Sequence, residues 1–428
     1  MSMLVLALTL APAVSEPAPP ASGNLLAIRV GRAETVSQGP IEHAVLLVEN
    51  GKIAAIGEDL AVERGIPVLD RPDWIVMPGL VNAYSRMGLT GDGGSDSTPQ
   101  LTAERELYPH DPVYEDLLRT GVTTLALYPP GTGIPGQATV VRPHGDSVAE
   151  MLVEDGAYLK IYFRSSSRSK KLIRSGFEDV DDYQEKEKKA REKYDKAVEK
   201  AEKAKKKKSS KDKDDDKSAA AGEDGEEEEL GPYVPPEPDP KVVPFMKLRS
   251  GELRALISIS DAGDYLHLLD AIGEEEFGWD LRVPVTRSLN LYEIADKLGE
   301  RGCRIVMEPS ISLYPGTMRQ RNLPAELSRA GVKLVFVPRN DSLQDHREWL
   351  SDVGEIVATG VDREAALRAV TLEPAGLLGL DDRLGSLDVG KDANLLFTRG
   401  DPLEVGSRIA AVMLEGEFVF ESKNEGAQ

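Results

Sequence analysis

Between Pro78 and about residue 375 the chain alternates short apolar runs with helical patterns, which restricts it to folds built on a largely parallel sheet with crossover helices. The runs at 122–127, 253–259, 281–285, 304–307 and 332–337 predict strands, and 291–300, 324–330 and 363–370 predict helices. There are enough such units to close a barrel. The expected fold class is therefore α/β, a (β/α)8 TIM-like barrel over 78–375. The two ends of the chain have a different texture. Segments 25–30, 44–48, 52–56 and 74–76, and again 392–397, 409–414 and 417–421, are short strands, with Asn50-Gly51 and Glu415-Gly416 as hairpin turns. Residues 24–77 and 380–424 are expected to form one small β-sandwich from both chain ends.

Residues 184–230 interrupt the barrel pattern. They are charged and nearly free of large apolar side chains, turning lysine-rich at 205–208 and acidic at 226–229. With no apolar face to bury, the segment predicts an exposed helix running into a disordered insertion. The proline-rich stretch 231–240 leads back to the barrel. At the start of the chain, an apolar stretch of about a dozen residues is too short to span a bilayer. It ends at Ala13-Val14-Ser15, small residues that suit signal-peptide cleavage. Residues 1–22 are thus expected to be a signal peptide and linker. That implies a periplasmic or secreted protein with no membrane span.

The formal net charge of −21 argues against nucleic acid as a partner, because phosphate binding needs a basic surface. The single cysteine, Cys303, excludes a disulfide within one chain and any multi-cysteine metal site. The run Gly131-Thr132-Gly133-Ile134-Pro135-Gly136 matches a dinucleotide fingerprint in its glycines. It is followed by the β-like 137–142 rather than by a helix, so it predicts only a glycine-rich loop.

Three passages carry a resemblance. Residues 74–89, WIVMPGLVNAYSRMGL, resemble the barrel entry of the amidohydrolase superfamily, a strand followed by Met-Pro-Gly-Leu and Asp-Ala-His-x-His. Residues 366–393 are similar to that family's C-terminal passage, with Thr371, Pro374-Ala375 and Gly390-Lys391 in place and Asn394 where an aspartate is usual. Residues 50–57, NGKIAAIG, resemble its opening sandwich hairpin. Gly121-Val122-Thr123-Thr124 and Gly136-Gln137 bring the resemblance nearest to the imidazolonepropionase-like group.

The resemblance implies a metal-dependent hydrolase barrel flanked by a β-sandwich. It places two histidines on the first barrel strand, at i and i+2, facing the C-terminal mouth where barrel active sites lie. Tyr84 and Arg86 occupy those positions here. Ser258 and Ser260 stand where the fifth strand carries a His-x-His pair, and Arg287 where the sixth carries a histidine. Asp341 stands near the strand-eight aspartate after a two-residue shift. Arginine cannot ligate a metal, because it stays protonated and offers no lone pair. The expectation is that the ancestral zinc or similar divalent site is lost and no cofactor is held.

Tyr84, Arg86, Ser258, Ser260, Arg287 and Asp341 are then candidates for a pocket at the former ligand positions. Lys160 corresponds to a lysine that some family members carbamylate to bridge two metals, and without histidines it reads as structural. His110, Asp111, His144 and His346 are the alternative source of a rebuilt metal site. The functional expectation is a binding or scaffold pseudoenzyme, taking a small anionic ligand or an amidohydrolase paralogue as partner, alone or as a homo- or hetero-oligomer. The alternatives are an atypical hydrolase acting on carbon–nitrogen bonds and a non-catalytic subunit of an intact amidohydrolase.

Overall fold

The described residues open with a sheet. The computed structural model describes residues 25–91, 93–94, 97–211, 231–285, 290–313 and 317–422, without the side chains of 204–211. Residues 1–22, the acidic end of the insertion and Arg287 lie outside the described residues. Strands β1 (Leu25–Glu34), β2 (Pro40–Glu42), β3 (Ala44–Glu49), β4 (Lys52–Glu58) and β5 (Val68–Pro78) come first. β3 and β4 pair antiparallel across the turn at Asn50 and Gly51, both of which have positive φ. β5 returns parallel to β1.

A single residue, Gly79, separates this sheet from the barrel. A Cβ there would lie 2.2 Å from Thr123 Oγ1, which explains the glycine of the Met-Pro-Gly-Leu motif. The barrel starts with β6 (Leu80–Ser85), then α1 (Pro112–Leu118), β7 (Val122–Leu127), β8 (Gly136–Val141), α2 (Val148–Met151) and β9 (Leu152–Tyr162). It continues with α3 (Ser167–Lys211), α4 (Val243–Ser250), β10 (Arg254–Ser258), α5 (Ala262–Ile272), β11 (Trp279–Arg282), α6 (Ala295–Arg301) and β12 (Arg304–Met307). After a small hairpin of β13 (Ser312–Leu313) and β14 (Gln320–Arg321) come α7 (Leu323–Arg329), β15 (Lys333–Phe336) and α8 (Leu343–Ala358). The strand order is β15-β12-β11-β10-β9-β8-β7-β6, an eight-stranded, nearly closed TIM-like barrel.

Two details depart from the pattern read in the sequence. β8 runs antiparallel to both β7 and β9, so one barrel strand is reversed. The cause is the glycine-rich connection at 128–135, which is too short for a parallel crossover but long enough for a reversal. The second concerns the barrel's edges. β6 and β15 are not joined by a ladder. Side chains span the seam instead: Ser85 Oγ donates to Asp341 Oδ1 at 2.7 Å, the Arg86 amide donates to Asp341 Oδ2 at 3.0 Å, and Asn82 Nδ2 lies 3.1 Å from His346 Nε2.

The chain closes with α9 (Arg363–Val370) and α10 (Leu372–Leu377), which pack across both β6 and β15, and then β16 (Leu395–Arg399), β17 (Arg408–Leu414) and β18 (Glu417–Glu421). β16 pairs antiparallel with β5, so strands from both chain ends make one eight-stranded sheet. Its own core includes Ile28, Leu46, Trp74, Val76, Phe397 and Met413. The barrel lumen is filled from inside by Val81, Ala83, Tyr158, Leu256, Val306 and Val335.

The insertion grows out of a barrel helix. α3 spans 45 residues, and its first turns bury Ile173, Phe177 and Val180 against the barrel. Gly176 lets Phe245 approach, since a Cβ there would lie 2.1 Å from its ring. Beyond Tyr183 the helix is solvent-facing and laced by i,i+4 pairs such as Glu185–Lys189 and Arg191–Asp195. The proline-rich return lies back along it. Tyr194 Oη donates to the Gly231 carbonyl at 2.7 Å, Tyr183 Oη to the Pro236 carbonyl at 3.0 Å, and Tyr233 Oη to the Glu187 carbonyl at 3.2 Å.

Candidate functional site

Tyr158, Lys160 and Tyr162 alternate on β9, so all three face the same side of the strand, into the lumen. Lys160 is fully buried. Its Nζ lies 4.2 Å from the centre of the Tyr84 ring, 4.4 Å from that of Tyr162 and 5.4 Å from that of Tyr128. Tyr84 and Tyr128 stack with centroids 4.1 Å apart, and the Tyr84 and Tyr162 hydroxyls lie 3.3 Å from one another. The polar partner of the amine is Ser258, whose Oγ is 2.5 Å from Nζ. Ser258 ends β10 directly beside Tyr162 on one neighbouring strand and Arg282 on the other.

Arg282 is 9% exposed and paired with Glu308, which also accepts from the Val285 amide at 2.9 Å. The Arg282 guanidinium also lies 5.1 Å from the centre of the Tyr84 ring. These groups sit at the C-terminal ends of β6, β9, β10 and β11 and just after β7 and β12, the functional end of such a barrel.

Burial dominates the electrostatics. It pushes the Lys160 amine well below the ordinary lysine value, and the charges of Arg282 and Arg164 push the same way. Burial likewise raises the phenols of Tyr84, Tyr128 and Tyr162, so all three stay protonated donors. Burial opposes the charge of Arg282, but the Glu308 carboxylate beside it more than offsets this, and the guanidinium stays charged. At the rim, burial raises the Asp341 carboxyl and lowers the His346 imidazole.

The sequence candidates are distributed unevenly round this cluster. Tyr84 and Ser258 are part of it. Arg86 sits on the rim, where its Nη2 donates to the Gly91 carbonyl at 2.9 Å and its buried Nε has no partner. Asp341 staples the barrel seam rather than pairing with the Arg86 guanidinium. Ser260 lies one step beyond β10, where its amide donates to Asp264 Oδ2 at 2.9 Å. The histidines do not assemble. His346 is engaged with Asn82 and the Ser342 carbonyl, and His110 packs edge-on against Tyr108.

Among the described residues no group of three His, Cys, Asp or Glu side chains could hold a metal ion. A divalent cation also fits the lumen poorly, because an amine held against Ser258 and a guanidinium stand where ligands would be needed. Sequence reasoning passed over Tyr128, Tyr162, Arg282 and Glu308. The usable signal was a lysine alternating with tyrosines on an apolar strand, and a lone arginine at the end of another.

A model of the amidohydrolase family matches residues 357–420. N-acetylglucosamine-6-phosphate deacetylase of Rattus norvegicus is 39% identical over 69 residues, 16% of this chain and 16% of that protein. The Bos taurus protein of the same name is 41% identical over 64 residues, 15% of this chain and 14% of that one. The match thus spans about a sixth of the length of these curated relatives. An amidohydrolase from Thermotoga maritima MSB8 superposes with a TM-score of 0.66 at 23% identity, covering 93% of this chain and 100% of that one. A prolidase solved with N-methylphosphonate-L-proline gives a TM-score of 0.52 at 14% identity over 93% and 100%. The structural likenesses establish the fold, and the sequence similarity to the amidohydrolase family is confined to the C-terminal passage at 357–420.

Proposed function

We propose that this protein has given up metal-dependent hydrolysis and uses its barrel as a binding or scaffold module. The observation that carries the reading is what lines the mouth: the charged Arg282 guanidinium, with Tyr84 and Ser258 where the resemblance places imidazoles. The guanidinium repels a dication at close range, and neither Tyr84 nor Ser258 replaces the imidazoles the superfamily's chemistry uses. The rim favours an anion. Arg86 is half-buried with its Nε unpartnered, and Arg164 stands at the end of β9. A small carboxylate or phosphate is the ligand class that suits this rim. The apolar start of the chain supports export, so binding would take place outside the cytoplasm.

Metal analysis tests the central claim. Protein purified without chelator should carry well under one equivalent of transition metal, and added zinc or manganese should not raise its melting temperature. Stoichiometric zinc would overturn the reading and restore a metal-dependent hydrolase.

A further inference from the structure

A buried lysine amine without a carboxylate is costly, and the partner it does have is a serine hydroxyl. Among the described residues no carboxylate pairs with Lys160, since Glu308 is taken by Arg282 and Asp341 by Ser85 and the Arg86 amide. Other described serines near the mouth are committed elsewhere. Ser85 donates to Asp341, and Ser166 and Ser169 bond one another on the surface. Among the described residues, Ser258 alone combines burial, a place at the end of a barrel strand and contact at 2.5 Å with an amine.

We propose that Ser258 and Lys160 form a metal-independent serine–lysine pair that accepts acyl groups from small activated esters and amides. Serine–lysine arrangements on other folds use the same division of labour, in which a neutral amine takes the proton of the attacking hydroxyl. Here the lysine has the burial such a base needs, and Arg164, Arg282 and the rings of Tyr84, Tyr128 and Tyr162 surround it without supplying a negative charge.

Ser258 Oγ attacks the acyl carbonyl while its proton passes to Lys160 Nζ. The tetrahedral oxyanion collapses, the bond to the leaving group breaks, and the leaving alkoxide, phenolate or amine takes the proton from Lys160. Water then attacks acyl-Ser258, giving its proton to Lys160. That proton returns to Ser258 Oγ as the acyl–oxygen bond breaks and the carboxylic acid leaves. Arg282, the register neighbour of Ser258 on β11, supplies positive potential to the oxyanion. Ser258 is 5% exposed, so only small acyl compounds pass the partly exposed rings of Tyr84 and Tyr162.

This inference goes beyond the binding role and rests on the loss of metal chemistry, so the test is run with chelator present. Full-length protein is incubated with p-nitrophenyl acetate or a small fluorophosphonate, and the adduct is located by peptide mass spectrometry. One adduct on Ser258 is expected, absent in Ser258→Ala. The labelling rate should rise with pH across a range below the ordinary lysine pKa. Lys160→Met, with its fold checked by circular dichroism, should label at least ~100-fold more slowly. If Ser258 stays unlabelled, or if folded Lys160→Met labels at the wild-type rate, the pair is not an acyl-transfer centre. Labelling that needs added metal would overturn the metal-free reading as well.

Discussion

At the scale of single residues, the native state holds several groups in protonation states that water would not choose. Lys160 binds its proton less readily when folded than when unfolded. Stability therefore rises with pH across the window up to the unfolded lysine value of ~10.4. Lys160→Met should raise the melting temperature at neutral pH and flatten that slope; a variant with the wild-type slope would show that the amine is not desolvated. Asp352 behaves in the opposite sense. Burial pushes its carboxyl up to about 6, although Arg339 at 2.7 Å works against the shift, and its Oδ2 is buried without a partner. Its contribution is fully present below the unfolded value of ~4 and is lost as pH rises through about 6. Asp352→Asn should stabilise the protein by about 1 kcal/mol at pH 7.5 and make no difference near pH 4, as read by denaturant titration at the two pH values. Neither feature can be read from residue type. Lys160 looks like any strand lysine until the register of β9 and the ring of tyrosines from three strands are known.

The elements were more legible than their connections. Strands of branched residues and helices with Asp or Ser caps stand out locally, as at Asp261, whose side chain accepts from the Asp264 amide to start α5. The reversal of β8 did not stand out, because period-two alternation is the same for either strand direction. Nor did the start of α3, because its apolar residues Ile173, Phe177 and Val180 precede the charged run that drew attention. These halves of α3 should respond differently to mutation. Replacing 196–229 by a short Gly-Ser linker should leave the melting temperature nearly unchanged, since no described side chain there enters a core. Phe177→Ala should cost about 3–5 kcal/mol. A large loss on the deletion, measured by thermal unfolding, would show that the projecting arm packs on the barrel.

For the whole molecule, the sequence pointed to a barrel with its ends gathered to one side, because hydrophobic period and turn chemistry are local signals. The occupants of the mouth were only half legible. Tyr84 and Ser258 could be placed by motif, whereas Arg282, Glu308 and Tyr128 are brought together only by closing the sheet. That closure is itself uneven. Seven strand junctions are held by backbone ladders, and the eighth, between β15 and β6, by Asp341, Ser85, Asn82 and His346. Asp341→Asn should therefore raise amide exchange across β6 by about tenfold while leaving β10 to β12 at their global rate. Uniform acceleration would mean that the barrel opens only as a unit.

A ring of eight backbone-paired strands has no preferred place to come apart, whereas a ring fastened at one point by a carboxylate and an imidazole has a clasp. The clasp sits beside Tyr84, the ring that covers Lys160. Spreading it would move that ring first, so the barrel's weakest junction is also the door to its most protected amine.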